Sequence, residues 1–190
     1  MNITLEQFEE NMLEGQKASK GLEVLLTNEC ALAILKRYNF TLLDKESLKE
    51  ELSDDYLSDE ARTDSDIMAN VKATDEVFQN ITFFATCLGR FNDVVIGYWH
   101  GNDKSRDISK APFVVYTSEG EFELLYDYNI IESILAAITL EDEDEYEEFK
   151  VLFKGCDIEL KEIWDLDIDE PKIDPEKLHL ELYDKYKKEQ

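Results

Sequence analysis

Residues 91–103 read FNDVVIGYWHGND. Within them Val94, Ile96 and Tyr98 alternate with Val95, Gly97 and Trp99, the period of two that places successive side chains on opposite faces of a strand. β-branched and aromatic residues suit that pleated surface. The same letters also admit a chemical reading. One of the two tryptophans stands beside His100, one of the two histidines, between a pair of glycines, and histidine is the usual acid–base side chain near neutral pH. The strand reading makes Gly97 a bend or a close backbone approach and Gly101 the start of an exit loop.

The neighbouring segments favour a sheet. Upstream, ITFFATC at 81–87 is β-branched and aromatic and reads as a strand, followed by a turn at 89–93. Downstream, a charged loop covers 101–110, and PFVVYT at 112–117 is a third strand with proline at its start. Ser118, Glu119 and Gly120 form a hairpin turn, and EFELLY at 121–126 returns as a fourth strand. Short connections between successive strands make the sheet antiparallel. A helix at 65–78, capped by Asp64 or Ser65, precedes this block, and an amphipathic helix at 129–139, capped by Asn129, follows it.

The ends of the chain are helical in pattern. Leu5, Phe8, Met12 and Leu13 share one face of a helix over 4–19, with Thr4 and Gln7 in capping-box spacing; Gly21 breaks that run. NECALAILKRY at 28–38 is a nearly apolar, buried helix, and 44–52 a short one. Residues 53–66 are acidic and without period, hence loop. A helix runs through 141–153, 165–175 is a connector, and 175–188 is a terminal helix. Asp174 caps that last helix and Pro175 opens it. Its apolar face is Leu178, Leu182 and Tyr186, with Lys185, Lys187 and Lys188 facing the negative end of the dipole. Helices, then strands, then helices predict an α+β fold, an antiparallel meander flanked by N-terminal and C-terminal helices. Residues 1–140 form the domain, and 141–190 an acidic, mainly helical extension packing on it or following it.

Composition narrows the function. A hydrophobic fraction of 43% excludes wholesale disorder, while 20 Lys+Arg against 45 Asp+Glu leaves a net charge of −25. That sign is wrong for gripping phosphates and for anionic membranes, and it suits a basic protein. It also keeps a chain soluble without further purpose. No stretch has the length of a membrane span, and the first residues have no signal-peptide pattern. Cys30, Cys87 and Cys156 read as reduced core residues of a cytoplasmic protein. The sequons at Asn2, Asn39 and Asn80 are then coincidental.

Catalytic patterns are missing. There is no CxxC, HxxxH or HExxH for a metal, no GxSxG elbow and no glycine-rich phosphate loop. The cysteines lack a neighbour that would activate a thiolate, and no cofactor is implied. The remaining acid–base candidate is a hydrolase built around His100, which requires a polar pocket with a perturbed carboxylate. The expected partner contacts are instead the acids Asp54, Asp55, Asp59, Glu60 and Asp64, with Asp66 beside them, and Glu141, Asp142, Glu143, Asp144 and Glu145. Tyr98 and Trp99 complete the set as aromatic anchors.

The block FFATCLGRFNDVVIGYWHG…APFVVYTSEGEFELLYDYNIIESILAAI resembles the SUKH superfamily, the Smi/Knr-type fold. The matching pieces are Phe83-Phe84-Ala85, the 89–93 turn, the strand to Trp99, residues 112–115, Glu119-Gly120 and the helix from Asn129. Residues 28–66 depart from the family pattern in lacking glycine and proline. The resemblance implies a non-enzymatic binding protein, an immunity protein that neutralises a basic, nuclease-like bacterial toxin. The alternative is an intracellular regulatory or scaffold module of the same fold with no toxin partner.

Overall fold

The computed structural model of the protein describes residues 3–54, 57–87, 93–101, 103, 107–139, 142–169 and 171–189. Five strands pair antiparallel in chain order: β1 (Phe40–Leu42), β2 (Ile81–Cys87), β3 (Val94–Trp99), β4 (Phe113–Thr117) and β5 (Phe122–Leu124). Around them run eight α-helices among the described residues: α1 (Leu5–Met12), α2 (Lys20–Thr27), α3 (Glu29–Lys36), α4 (Lys45–Glu51), α5 (Ser65–Phe78), α6 (Ile130–Thr139), α7 (Glu143–Lys154) and α8 (Pro175–Lys188). The fold is α+β, as the order of patterns predicts. Apart from Asp93, the turn expected at 89–93 lies outside the described residues.

The sheet is covered on both faces. Phe84, Tyr98 and Phe113 stack together on one face, with ring centroids 4.9–6.0 Å apart. Ser19, just before α2, bonds the Tyr98 hydroxyl there, and Ile134 and Ala137 of α6 face Val94 and Ile96. On the other face Phe78 of α5 sits edge-on to Phe83, Tyr116 and Phe122. A register shift between Phe83 and Ala85 makes room for Phe84 as an extra residue in β2. All six residues of β3 are buried, because a strand central to a doubly covered sheet has no solvent side.

Several sequence expectations are corrected. The first helix stops at Met12, where Glu14 and Gly15 take positive φ (54° and 80°), the left-handed geometry that ends helices. Gly21 does not break a helix but lies inside α2. A Cβ there would run into the Asn129 side chain and stand 3.1 Å from Ile130 N, so glycine lets α2 close on the start of α6. β1 answers to no element read from the sequence; it exists because Phe40 and Leu42 find Cys87 and Ala85 across the sheet. Helix α6 is buried at all ten positions rather than amphipathic, since α7 lies over its outer side.

Cys30 and Cys156 are not reduced core thiols. They form a disulfide across 126 residues of chain, with their Cα atoms 5.6 Å apart. Cys30 opens α3 and Cys156 follows α7, and those two helices pack together, with the Tyr38 and Phe149 rings 4.9 Å apart. Cys87 alone is free and buried, its thiol donating to Tyr38 O at 3.4 Å.

Residues after 141 share the core of the rest. Tyr146, Phe149, Phe153 and Leu182 belong to the same buried cluster as the sheet. Helix α8 lies along α5, with Thr74 Oγ1 and His179 Nε2 3.2 Å apart, Lys187 paired to Asp66 at 3.0 Å, and Tyr186 bonded to Glu76. Among the described residues, no helix is long and apolar enough to cross a membrane.

Candidate functional site

The first acidic segment is partly occupied with local structure. Asp54 is half-buried and holds Arg62 through its carboxylate (3.0 Å) and its carbonyl (2.8 Å). Asp64 caps α5, accepting from Asp66 N at 2.9 Å and Ile67 N at 3.1 Å. Such a carboxylate satisfies the open N–H groups of a first turn and favours the helix dipole. Asp59 and Glu60 are exposed, whereas Asp55 lies outside the described residues.

In the second segment Asp142 caps α7, accepting from Glu145 N at 2.9 Å. Glu143 and Asp144 are exposed on the first turn and Glu145 is half-buried; Glu141 lies outside the described residues. The two segments are not one surface. Residues 54–66 lead into α5, on the Phe83 face of the sheet, while α7 packs over α6 on the Tyr98 face. The acids therefore project from opposite layers, a separation that sequence order could not display.

Tyr98 and Trp99 are 0% exposed, so neither is a surface anchor. The Tyr98 hydroxyl accepts from Ser19 N at 3.1 Å and donates to Ser19 Oγ at 2.9 Å, and burial pushes its pKa up to about 12. Trp99 Nε1 donates to Ile173 O at 2.8 Å. Ser19 covers Tyr98 on one face of the sheet, and Ile173 covers Trp99 on the other. The exposed indole is Trp164, at 67%, in a short 3-10 turn. An isolated Trp among acids carried no pattern that would have marked it.

His100 is 6% exposed, with Nε2 2.7 Å from Thr82 Oγ1. It borders a cleft of about 540 Å³ whose wall includes Asp103, Tyr128, Asp169 and Lys172. A pocket beside His100 is thus present, at the place where acid–base chemistry would have to occur.

A buried polar cluster lies elsewhere. Asp127, 1% exposed, pairs with Lys161 Nζ at 2.6 Å and accepts from Asn129 N at 2.8 Å. Glu132 accepts from Lys161 N at 2.7 Å, and burial raises its pKa above the ordinary glutamate value. These bonds hold Lys161 against the first turn of α6 and the residues just before it. Among the described residues, no group of three or more His, Cys, Asp and Glu side chains is placed to hold a metal ion.

In comparisons with known proteins, no family model, no curated protein and no solved structure matches the chain.

Proposed function

We propose that the chain is a non-catalytic protein-binding module for a basic partner. Following the SUKH-type resemblance of its strand block, that partner is a cationic, nuclease-like bacterial toxin which the chain neutralises as an immunity protein. The observation that supports this reading is the exposure of Asp59, Glu60, Asp64, Asp142, Glu143 and Asp144 on a chain of net charge −25. Fixed negative charge steers a cationic protein into encounter and penalises wrong partners. Occupying the phosphate-gripping surface of a nuclease is sufficient to inhibit it.

The test is co-expression with the product of the adjacent gene, followed by co-purification and a toxicity-rescue assay. Association is expected to weaken steeply between low and high salt, because screening shortens the electrostatic range to about 10 Å at 0.1 M. An affinity that stays flat with salt removes the electrostatic basis. Rescue without complex formation removes the binding reading altogether.

A second reading is acid–base catalysis at the cleft beside His100, favoured by the carboxylates and the lysine in its wall. His100→Gln separates the two: it abolishes a catalytic activity and leaves partner binding unchanged. The immunity reading also places the protein in the cytoplasm, where disulfides are rare. Alkylation of the thiols in freshly lysed cells checks this directly, since a chain isolated with Cys30 and Cys156 already bonded belongs to an oxidising compartment.

A further inference from the structure

The sheet face that carries Val94, Ile96 and Val115 is buried under the helix above it but not filled by it. Between those residues and Ile134 and Ala137 of α6 lies a cavity of about 100 Å³, with Cys87 in its wall. Its lining is mainly aliphatic, and burial holds the Cys87 thiol protonated, with a pKa of about 11. Nothing there calls for a charged ligand. An apolar hole of this kind does not hold water well, and its walls lack contacts that an entering hydrocarbon would supply. The volume suits one aliphatic side chain, far below the roughly 300–1,000 Å³ of drug-sized sites.

The mouth has a different character. Tyr126, 41% exposed, and the exposed Glu123 both border the cavity. Glu121, two residues before Glu123 on the same strand edge, is exposed as well. On the helix side, α6 ends at Thr139, two residues beyond Ala137, and Asp142 N bonds back to Thr139 O at 2.9 Å. Asp142, the first of the exposed acids Asp142, Glu143 and Asp144, is thereby held at the end of α6, five residues after the cavity-lining Ala137. An apolar hole flanked by carboxylates on its strand side and its helix side has the layout of an interface hot spot with a charged rim.

We propose that this cavity is the anchor pocket of the partner-binding surface. One aliphatic side chain, leucine or isoleucine in size, from a basic segment of the partner enters between the sheet and α6. Lysines or arginines on either side of it meet Glu121 and Glu123 and the acids of 142–144. The inference rests on the basic-partner reading and gives that reading a location. The 54–66 acids, on the opposite layer, take no part in it.

The experiment uses the full chain and two synthetic 15-residue lysine-rich peptides, alike except for a central leucine in one and a central serine in the other. Binding is followed by peptide fluorescence anisotropy and by the methyl resonances of Ile96, Val115 and Ile134. The leucine peptide is expected to bind about tenfold tighter, the increment of one well-buried aliphatic group, and to shift those methyls. Ala137→Leu fills the cavity and removes the increment while leaving the serine peptide's affinity unchanged. Val94→Ile, a smaller filling, serves the same purpose if Ala137→Leu lowers the melting temperature. Equal affinity for the two peptides, or an increment that survives filling, overturns the anchor pocket. In that outcome salt-sensitive binding of the serine peptide leaves the basic-partner reading standing. Binding of neither peptide removes both.

Discussion

The indole N–H of Trp99 donates to the carbonyl of Ile173, 74 residues further along the chain, at 2.8 Å. This one bond ties the end of the central strand β3 to the connector that leads into α8. It helps to bury Trp99, while Tyr98 on the opposite face is covered by Ser19, Phe84 and Phe113. Trp99→Phe keeps a six-membered aromatic ring but loses the donor and part of the indole volume, leaving a carbonyl without that partner. A loss of about 1 kcal/mol is expected, and about 3–5 kcal/mol for Trp99→Ala, which also opens a cavity. Urea denaturation measures both, and equal losses for the two variants would mean that the ring contributes no packing.

Gly97 sits opposite Phe83 in the β2–β3 register. A Cβ at this position would collide with the Ile81 side chain and approach Thr82 O to 3.0 Å and Phe83 Cα to 3.1 Å. Backbone cannot yield as a side-chain tip can. Gly97→Ala is expected to destabilise by about 1–3 kcal/mol, as overpacking does, with a lower thermal midpoint as the readout. A neutral Gly97→Ala would show that β2 and β3 separate at little cost.

The Cys30–Cys156 disulfide closes a loop of 126 residues in sequence separation. Cross-links over long loops restrict the unfolded chain, and such bonds are typically worth about 2–4 kcal/mol. Cys30→Ser, Cys156→Ser and the double variant should each lose this amount and should match the reduced wild type. Denaturation with and without reductant is the measurement; coincident wild-type curves would show that the bond contributes nothing in solution.

His179 is 5% exposed between α8 and α5, and burial lowers its pKa below the ordinary histidine value. The folded state therefore binds its proton less readily than the unfolded state. Its contribution to stability is complete above the unfolded pKa of about 6.5 and is lost as pH falls through the depressed folded value. Glu176, a turn earlier on α8, opposes the shift without reversing it. Between pH 7 and pH 5 the wild type should lose stability faster than His179→Gln, as read from unfolding free energies at each pH. Parallel pH profiles for the two proteins would exclude this role.

Much of the fold was legible in local pattern. The capping box of Thr4 and Gln7, the caps at Asp64 and Asp174, and the limits of β2 and β3 all follow from short-range preference. Strand β1 was not legible, because three residues carry no period and pair only with a partner more than forty positions away. The role of Gly21 was equally hidden, since the atom it avoids belongs to Asn129. In the candidate site, the exposed acids were visible as charge in the sequence. The aliphatic cavity was not, because its walls come from β2, β3, β4, β5 and α6 and no one segment contains it.

The sequence by itself determined the order of elements from α4 onward, the antiparallel run of β2 to β5 and the sign of the net charge, all of which depend on near neighbours and on simple counting. Tertiary structure alone decided which cysteines are bonded, that Tyr98 and Trp99 are interior, and that the two acidic segments lie on opposite layers. The physical reason is the same in each case. Burial, disulfide pairing and shared surface are properties of residues brought together across long loops, and the alternation in FNDVVIGYWHGND describes a strand without saying what covers its two faces.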